Sequence, residues 1–139
     1  MIDFQVENVE MPLIDTAKVG RWLEAVVHAH NRRIGNLCYR FCSDEDILRY
    51  NRDFLGHDYY TDIITFDYSR PGKIEGDMVI SLETVASNAE DIGESYDREL
   101  LRVIVHGVLH LCGINDKGPG EREIMEAEEN KALALYQQI

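Results

Sequence analysis

The chain is short of positive charge: 14 Lys and Arg stand against 26 Asp and Glu over 139 residues, a net charge of −12. That balance argues against a protein that coats nucleic acid by charge alone, because phosphate binding needs a positive surface. The shortage is uneven. Between Lys18 and Arg52, seven basic residues (Lys18, Arg21, Arg32, Arg33, Arg40, Arg49, Arg52) face four acids (Glu24, Asp44, Glu45, Asp46), a local balance of +3. Such a face either steers a polyanion or is merely solvated. Long apolar runs are missing too. Nothing approaches the roughly 18 residues of a membrane helix, and the opening MIDFQVENVE is acidic where a secretory signal is basic and then apolar. These absences predict a cytoplasmic protein with no membrane partner. Cys38, Cys42 and Cys112 form an odd set without a CxxC pair, which suits reduced, buried thiols better than a disulfide framework. With no repeat, linker or low-complexity segment, residues 1–139 read as one domain.

What the sequence does contain is alternation between two periods. Ile2, Phe4 and Val6 alternate with polar residues, as in a half-buried strand. From Asp15 or Thr16, the residues Val19, Trp22, Leu23, Val26 and Val27 take helical spacing, with Arg21 and Glu24 outward. His28 and His30 close that helix, where they meet its dipole. Ile34 to Cys42 is a second strand. Ser43 with Asp46 resembles a capping box for a helix through Ile47, Tyr50, Phe54 and Leu55. Ile63–Phe66 and Ile74–Ser81, separated by Ser69-Arg70-Pro71-Gly72, predict an antiparallel hairpin. Ser81 caps a third helix with Leu82, Val85, Ala86, Ala89 and Ile92 on one face, ending at Gly93. Ser95 opens a helix apolar around almost its whole circumference, which must be buried. A last helix runs from about Glu121 to Gln137, with Ile124, Met125, Ala132 and Leu135 inward. The order β-α-β-α-β-β-α-α-α predicts an α+β fold, with four strands packed on about five helices.

The buried helix carries the chemistry. In LLRVIVHGVLHLCGIND, His106 and His110 are four residues apart, on one helical face and roughly 6 Å from each other. Gly113 offers a left-handed exit, after which Asp116 can turn back toward them. Two buried imidazoles without partners would cost about 1 to 3 kcal/mol per unpaired group, a cost that a shared cation removes. His106, His110 and Asp116 are therefore candidate ligands of one zinc-type ion, with a fourth position open to water, as in catalytic rather than structural zinc sites. Cys112 follows His110 by about 200° of helix and should face away. Gly107 should mark close approach of another backbone or of substrate, since a mid-helix glycine costs about 1 kcal/mol relative to alanine. Zinc peptidases with this spacing place a glutamate directly after the first histidine. Here that residue is Gly107, so a peptidase would lack its proton carrier. Two histidines and a carboxylate also match the facial triad of non-haem iron oxygenases, although not in this order on one helix and its exit turn.

HGVLHLCGIND (106–116) resembles the signature HGxLHLxGxDH of the bacterial YbeY family of rRNA-maturation metallo-endoribonucleases. Asn51-Arg52-Asp53-Phe54, Asp58 and Thr61-Asp62-Ile63-Ile64-Thr65-Phe66 resemble the family's N-x-x-Y/F and TDVLSF stretches, and Gly76-Asp77-Met78-Val79-Ile80 its GDIxI strand. The resemblance implies an α+β fold with a small mixed sheet and a zinc-dependent hydrolase acting on single-stranded RNA. It also implies work in 16S rRNA 3′-end maturation and ribosome quality control, with rRNA and the small ribosomal subunit as partners, and DNA not expected. His106 and His110 match the first two ligands, and Asp116 stands where the family usually has a third histidine. Leu55 stands where it usually has an arginine, so Arg40, Arg52 and His57 are candidates to replace that contact, with Thr61 and Asp62 as further substrate-binding candidates. No protein general base is assigned; a metal-bound water would serve. A metal-stabilised, non-catalytic ribosome-binding module is the alternative.

Overall fold

A computed structural model describes residues 1–57 and 61–139. Among these residues, one mixed sheet is formed by β1 (Ile2–Val6), β2 (Arg33–Cys42), β3 (Ile63–Asp67) and β4 (Lys73–Ser81), in the order β1-β2-β4-β3. Both β1–β2 and β2–β4 are parallel, whereas β3 and β4 form the antiparallel hairpin that their spacing predicts. The helices are α1 (Thr16–Ala29), α2 (Asp44–Tyr50), α3 (Leu82–Ile92), α4 (Tyr96–Leu111) and α5 (Glu121–Tyr136). This is the α+β fold read from the sequence.

Local chemistry sets the boundaries. Asp15, Ser43, Ser81 and Ser95 each accept a backbone N–H in the first turn of α1, α2, α3 and α4. Past α2, the expected continuation to Leu55 is not α-helical. Asn51–Leu55 widens into a π-helical turn that leaves Phe54 and Leu55 exposed. Phe54 stacks on Tyr50 and meets Phe66 edge-on.

Strand alternation gives the sheet two faces. Leu37, Tyr39 and Phe41 of β2, with Met78 and Ile80 of β4, join α1 and α4 in the main core, where Trp22, Ile104 and Val108 are fully buried. The Tyr39 hydroxyl donates to the carbonyl of Ile104 at 2.8 Å, and Trp22 Nε1 donates to that of Ala132 in α5 at 2.7 Å. On the other face, Ile47 of α2 packs on Cys42, Ile64 and Val79. Ala86, Ile92 and Ile124, expected inside, are exposed. Their helices bury narrower stripes: Val85 and Ala89 in α3, and Met125, Ala132 and Leu133 in α5.

Gly107 does mark a close approach, but of side chains in the core. A Cβ there would stand 2.8 Å from Met78 Cγ and 3.0 Å from Ile63 Cδ1. The glycine lets α4 lie flat against β4 and β3.

Candidate functional site

One stripe of α4 is polar. Glu99, Arg102, His106 and His110 follow at intervals of three, four and four residues, which places them along one face of the helix. The first three line a cleft of about 670 Å³, together with Asp62, Glu94, Asp116 and residues of α3 and α5. Gly113, at φ +93°, makes the left-handed exit and Asp116 returns to the helix.

The structure brings His106 and Asp116 together: Nε2 lies 3.4 Å from Asp116 Oδ2. His110 is exposed, and among the described residues no three His, Cys, Asp or Glu side chains are gathered closely enough to share an ion. The donor chemistry at His106 and Asp116 fits a zinc-type cation, with His110 next along the same face. Cys112 is buried at the end of α4, away from the stripe.

Three residues of the site were not singled out from the sequence. Glu129 of α5, 3% exposed, holds His106 Nδ1 at 2.7 Å through Oε2, while its Oε1 accepts from Arg102 Nη1 at 3.2 Å. Arg102 in turn forks onto Glu99, whose side chain is fully buried, with Nε 2.7 Å from Oε1. For Glu99 and Arg102 the signal was present, since they share the histidine stripe of an otherwise apolar helix; Glu129 is buried with Met125 and Ala132 but stands among the other glutamates of α5.

Burial opposes a charge on His106, but the bond to Glu129 and the fields of Glu129, Asp116 and Asp62 outweigh it and raise its pKa. Burial also raises the carboxyl of Asp62, against the pull of Arg102 and His106. Seven carboxylates and three guanidinium groups line the cleft. Such a negative cavity attracts a cation and repels a phosphodiester until that charge is offset.

Of the substrate-binding candidates, Asp62 lines the cleft, where it accepts from Asn88 Nδ2 at 3.3 Å. Thr61, half-buried, donates to the Ile63 carbonyl. Arg52 and His57 are exposed on and just beyond the π-helical turn. Arg40 lies on the sheet face opposite α4, where it donates to the Tyr50 hydroxyl and to Gln5 Oε1, both at 2.9 Å. The structure does not bring it to His106. Asp58 lies outside the described residues.

Fold and cleft together define an α+β protein with a histidine–carboxylate couple in the wall of an acidic cavity. The family profile described as Endoribonuclease YbeY matches residues 2–137, and the chain belongs to the YbeY family. Endoribonuclease YbeY of Phocaeicola vulgatus is 61% identical over 135 residues, covering 97% of this chain and 98% of that protein. Its namesake in Bacteroides fragilis is 57% identical over 137 residues, covering 99% of each. The solution structure of TM1509 from Thermotoga maritima superposes with a TM-score of 0.65 at 25% identity, covering 98% of this chain and 89% of that one. No helix among the described residues is long and apolar enough to cross a membrane.

Proposed function

We propose that this protein is a metal-dependent endoribonuclease that cuts single-stranded RNA during 16S rRNA 3′-end maturation and ribosome quality control in the cytoplasm. The observation that carries the reading is the match to proteins named Endoribonuclease YbeY along nearly the whole chain. The acidic cleft around His106 and Asp116 supports its metal dependence.

A zinc-type ion held by His106 and Asp116, with His110 completing the set, would polarise a phosphodiester oxygen and lower the pKa of a bound water. The side chains do the rest. His106 and Asp116 present donor atoms to the cleft. Asp62, half-buried on the wall, accepts a hydrogen bond from a substrate hydroxyl. Arg52, His57 and Thr61, which lead along the chain to Asp62, take up the RNA backbone in place of the arginine that Leu55 replaces.

The test is cleavage of a labelled single-stranded RNA by purified protein, with and without chelator, alongside His106→Ala and Asp116→Ala. The reading expects cleavage that chelator and either substitution abolish. Full cleavage by His106→Ala rejects the site. Absence of cleavage by metal-loaded wild type, with chelator unfolding the chain, favours the ribosome-binding module. A 2′,3′-cyclic phosphate on the product identifies the RNA 2′-hydroxyl as the nucleophile and excludes direct attack by water.

A further inference from the structure

His106 has two ring nitrogens with different surroundings. Nδ1 faces Glu129 Oε2 at 2.7 Å, and Nε2 faces Asp116 and the cleft. A carboxylate accepts hydrogen bonds and donates none, and the 2.7 Å contact to Glu129 is a hydrogen bond where the 3.4 Å approach of Asp116 is not, so the proton of the neutral ring sits on Nδ1 and the lone pair on Nε2. Glu129 is itself held. Its second oxygen is bonded by Arg102, which is locked by its fork onto the buried Glu99. Both oxygens of Glu129 are therefore engaged, and the carboxylate cannot rotate away from the ring without breaking a charged contact.

We infer that Glu129 is a positioning residue, fixed by Arg102, that sets the tautomer of His106 so that Nε2 is offered to a divalent cation beside Asp116 in the cleft. The inference rests on the metal-dependent reading above, but not on RNA being the substrate.

Glu129→Gln separates this role from packing, because it keeps the shape and removes one acceptor. If the new amide NH₂ turns toward Arg102, two donors oppose each other. If it turns toward His106, it donates to Nδ1 and drives the proton to Nε2, where a ligand lone pair is needed. Three measurements on the full-length protein decide the matter. They are the His106 tautomer from long-range ¹⁵N–¹H correlation spectra of metal-free protein at alkaline pH, the affinity for Zn²⁺ and Co²⁺ by titration, and the thermal midpoint.

Wild type should show the Nδ1–H tautomer. Glu129→Gln should shift it toward Nε2–H and weaken both metals by about 10- to 100-fold, the usual effect of losing a partner that orients a ligand histidine. Arg102→Lys, which keeps the charge and loses the fork, is measured alongside and should mix the tautomers with a smaller loss of affinity. An Nε2–H wild type overturns the inference. So does wild-type tautomer and metal affinity in a folded Glu129→Gln, or in Arg102→Lys should Glu129→Gln fail to fold. Failure of wild type to cleave RNA bears on the nuclease reading alone and leaves these readouts intact.

Discussion

Arg102→Met tests the energetics of the buried charges most directly. Methionine retains much of the apolar stem and removes the guanidinium. The wild-type arginine makes two bonds to Glu99 and one to Glu129, whose side chains are 0% and 4% exposed, while its own is 30% exposed. A surface ion pair contributes about 0 to 1 kcal/mol. Breaking a buried one costs about 3 to 5 kcal/mol, because a charge is left without a partner or water. Here two carboxylates are orphaned, but water reaches the arginine side of the cluster. The expected loss is therefore about 2 to 4 kcal/mol, or roughly 6 to 12 °C in Tm at about 3 °C per kcal/mol for a chain of this size. Urea unfolding is the assay, with the midpoint falling and the slope unchanged. Adding Glu99→Gln to Arg102→Met should restore part of the loss, since a neutral amide replaces a buried unpaired charge. The double-mutant cycle should give a coupling of about 1 kcal/mol or more. A cost below about 1 kcal/mol, or additivity within about 0.5 kcal/mol, would refute the claim that these groups are desolvated and mutually dependent.

Gly76→Ala should cost about 1 to 3 kcal/mol by chemical denaturation, because the new Cβ would stand 2.5 Å from the Phe66 carbonyl oxygen across the hairpin. Gly107→Ala should cost less, since it meets side chains and gains about 1 kcal/mol of helix propensity. Asp62 has its pKa raised above the ordinary 3.8, so its ionised form is disfavoured in the fold and its contribution to stability falls as pH rises from about 4. Asp62→Asn should accordingly gain stability relative to wild type between pH 4 and 7, and a constant difference across that range counts against the assignment. Burial pushes the Cys42 thiol up to about 12 and raises that of Cys112, so at pH 8 a thiol reagent should modify the half-buried Cys38 first and the other two only on unfolding.

Much of the fold was legible because its signals are local. Alternation in Ile2–Val6 and Leu37–Phe41, the capping serines at 43, 81 and 95 and the glycine at 93 each act within a few residues. The strand order was not, since β2 lies between two parallel neighbours drawn from distant sequence and no local residue encodes that choice. The turn at Asn51–Leu55 misled for a related reason: Phe54 has helical spacing but packs on Tyr50 and Phe66 at the surface. In the cleft, His106 and Asp116 were visible as unusual residues in their settings. Glu129 was not, because a glutamate in a helix that also carries Glu121, Glu123, Glu126 and Glu128 reads as part of a solvated face until its tertiary partner is known. Arg40 shows the converse. Its charge suggested a substrate contact, and strand alternation carries it to the far side of the sheet.

The place of α5 in chain order has a consequence for the timing of assembly. Its Glu129 and the Ala132 carbonyl are the acceptors for His106, Arg102 and Trp22, and both follow every other element in the sequence. A ribosome extruding this chain releases the sheet and α4 first, with the His106 ring lacking its carboxylate and the Trp22 indole lacking its acceptor. The cleft is thus completed only once α5 has emerged, and a nascent chain still lacking α5 carries His106 without the carboxylate that holds its ring.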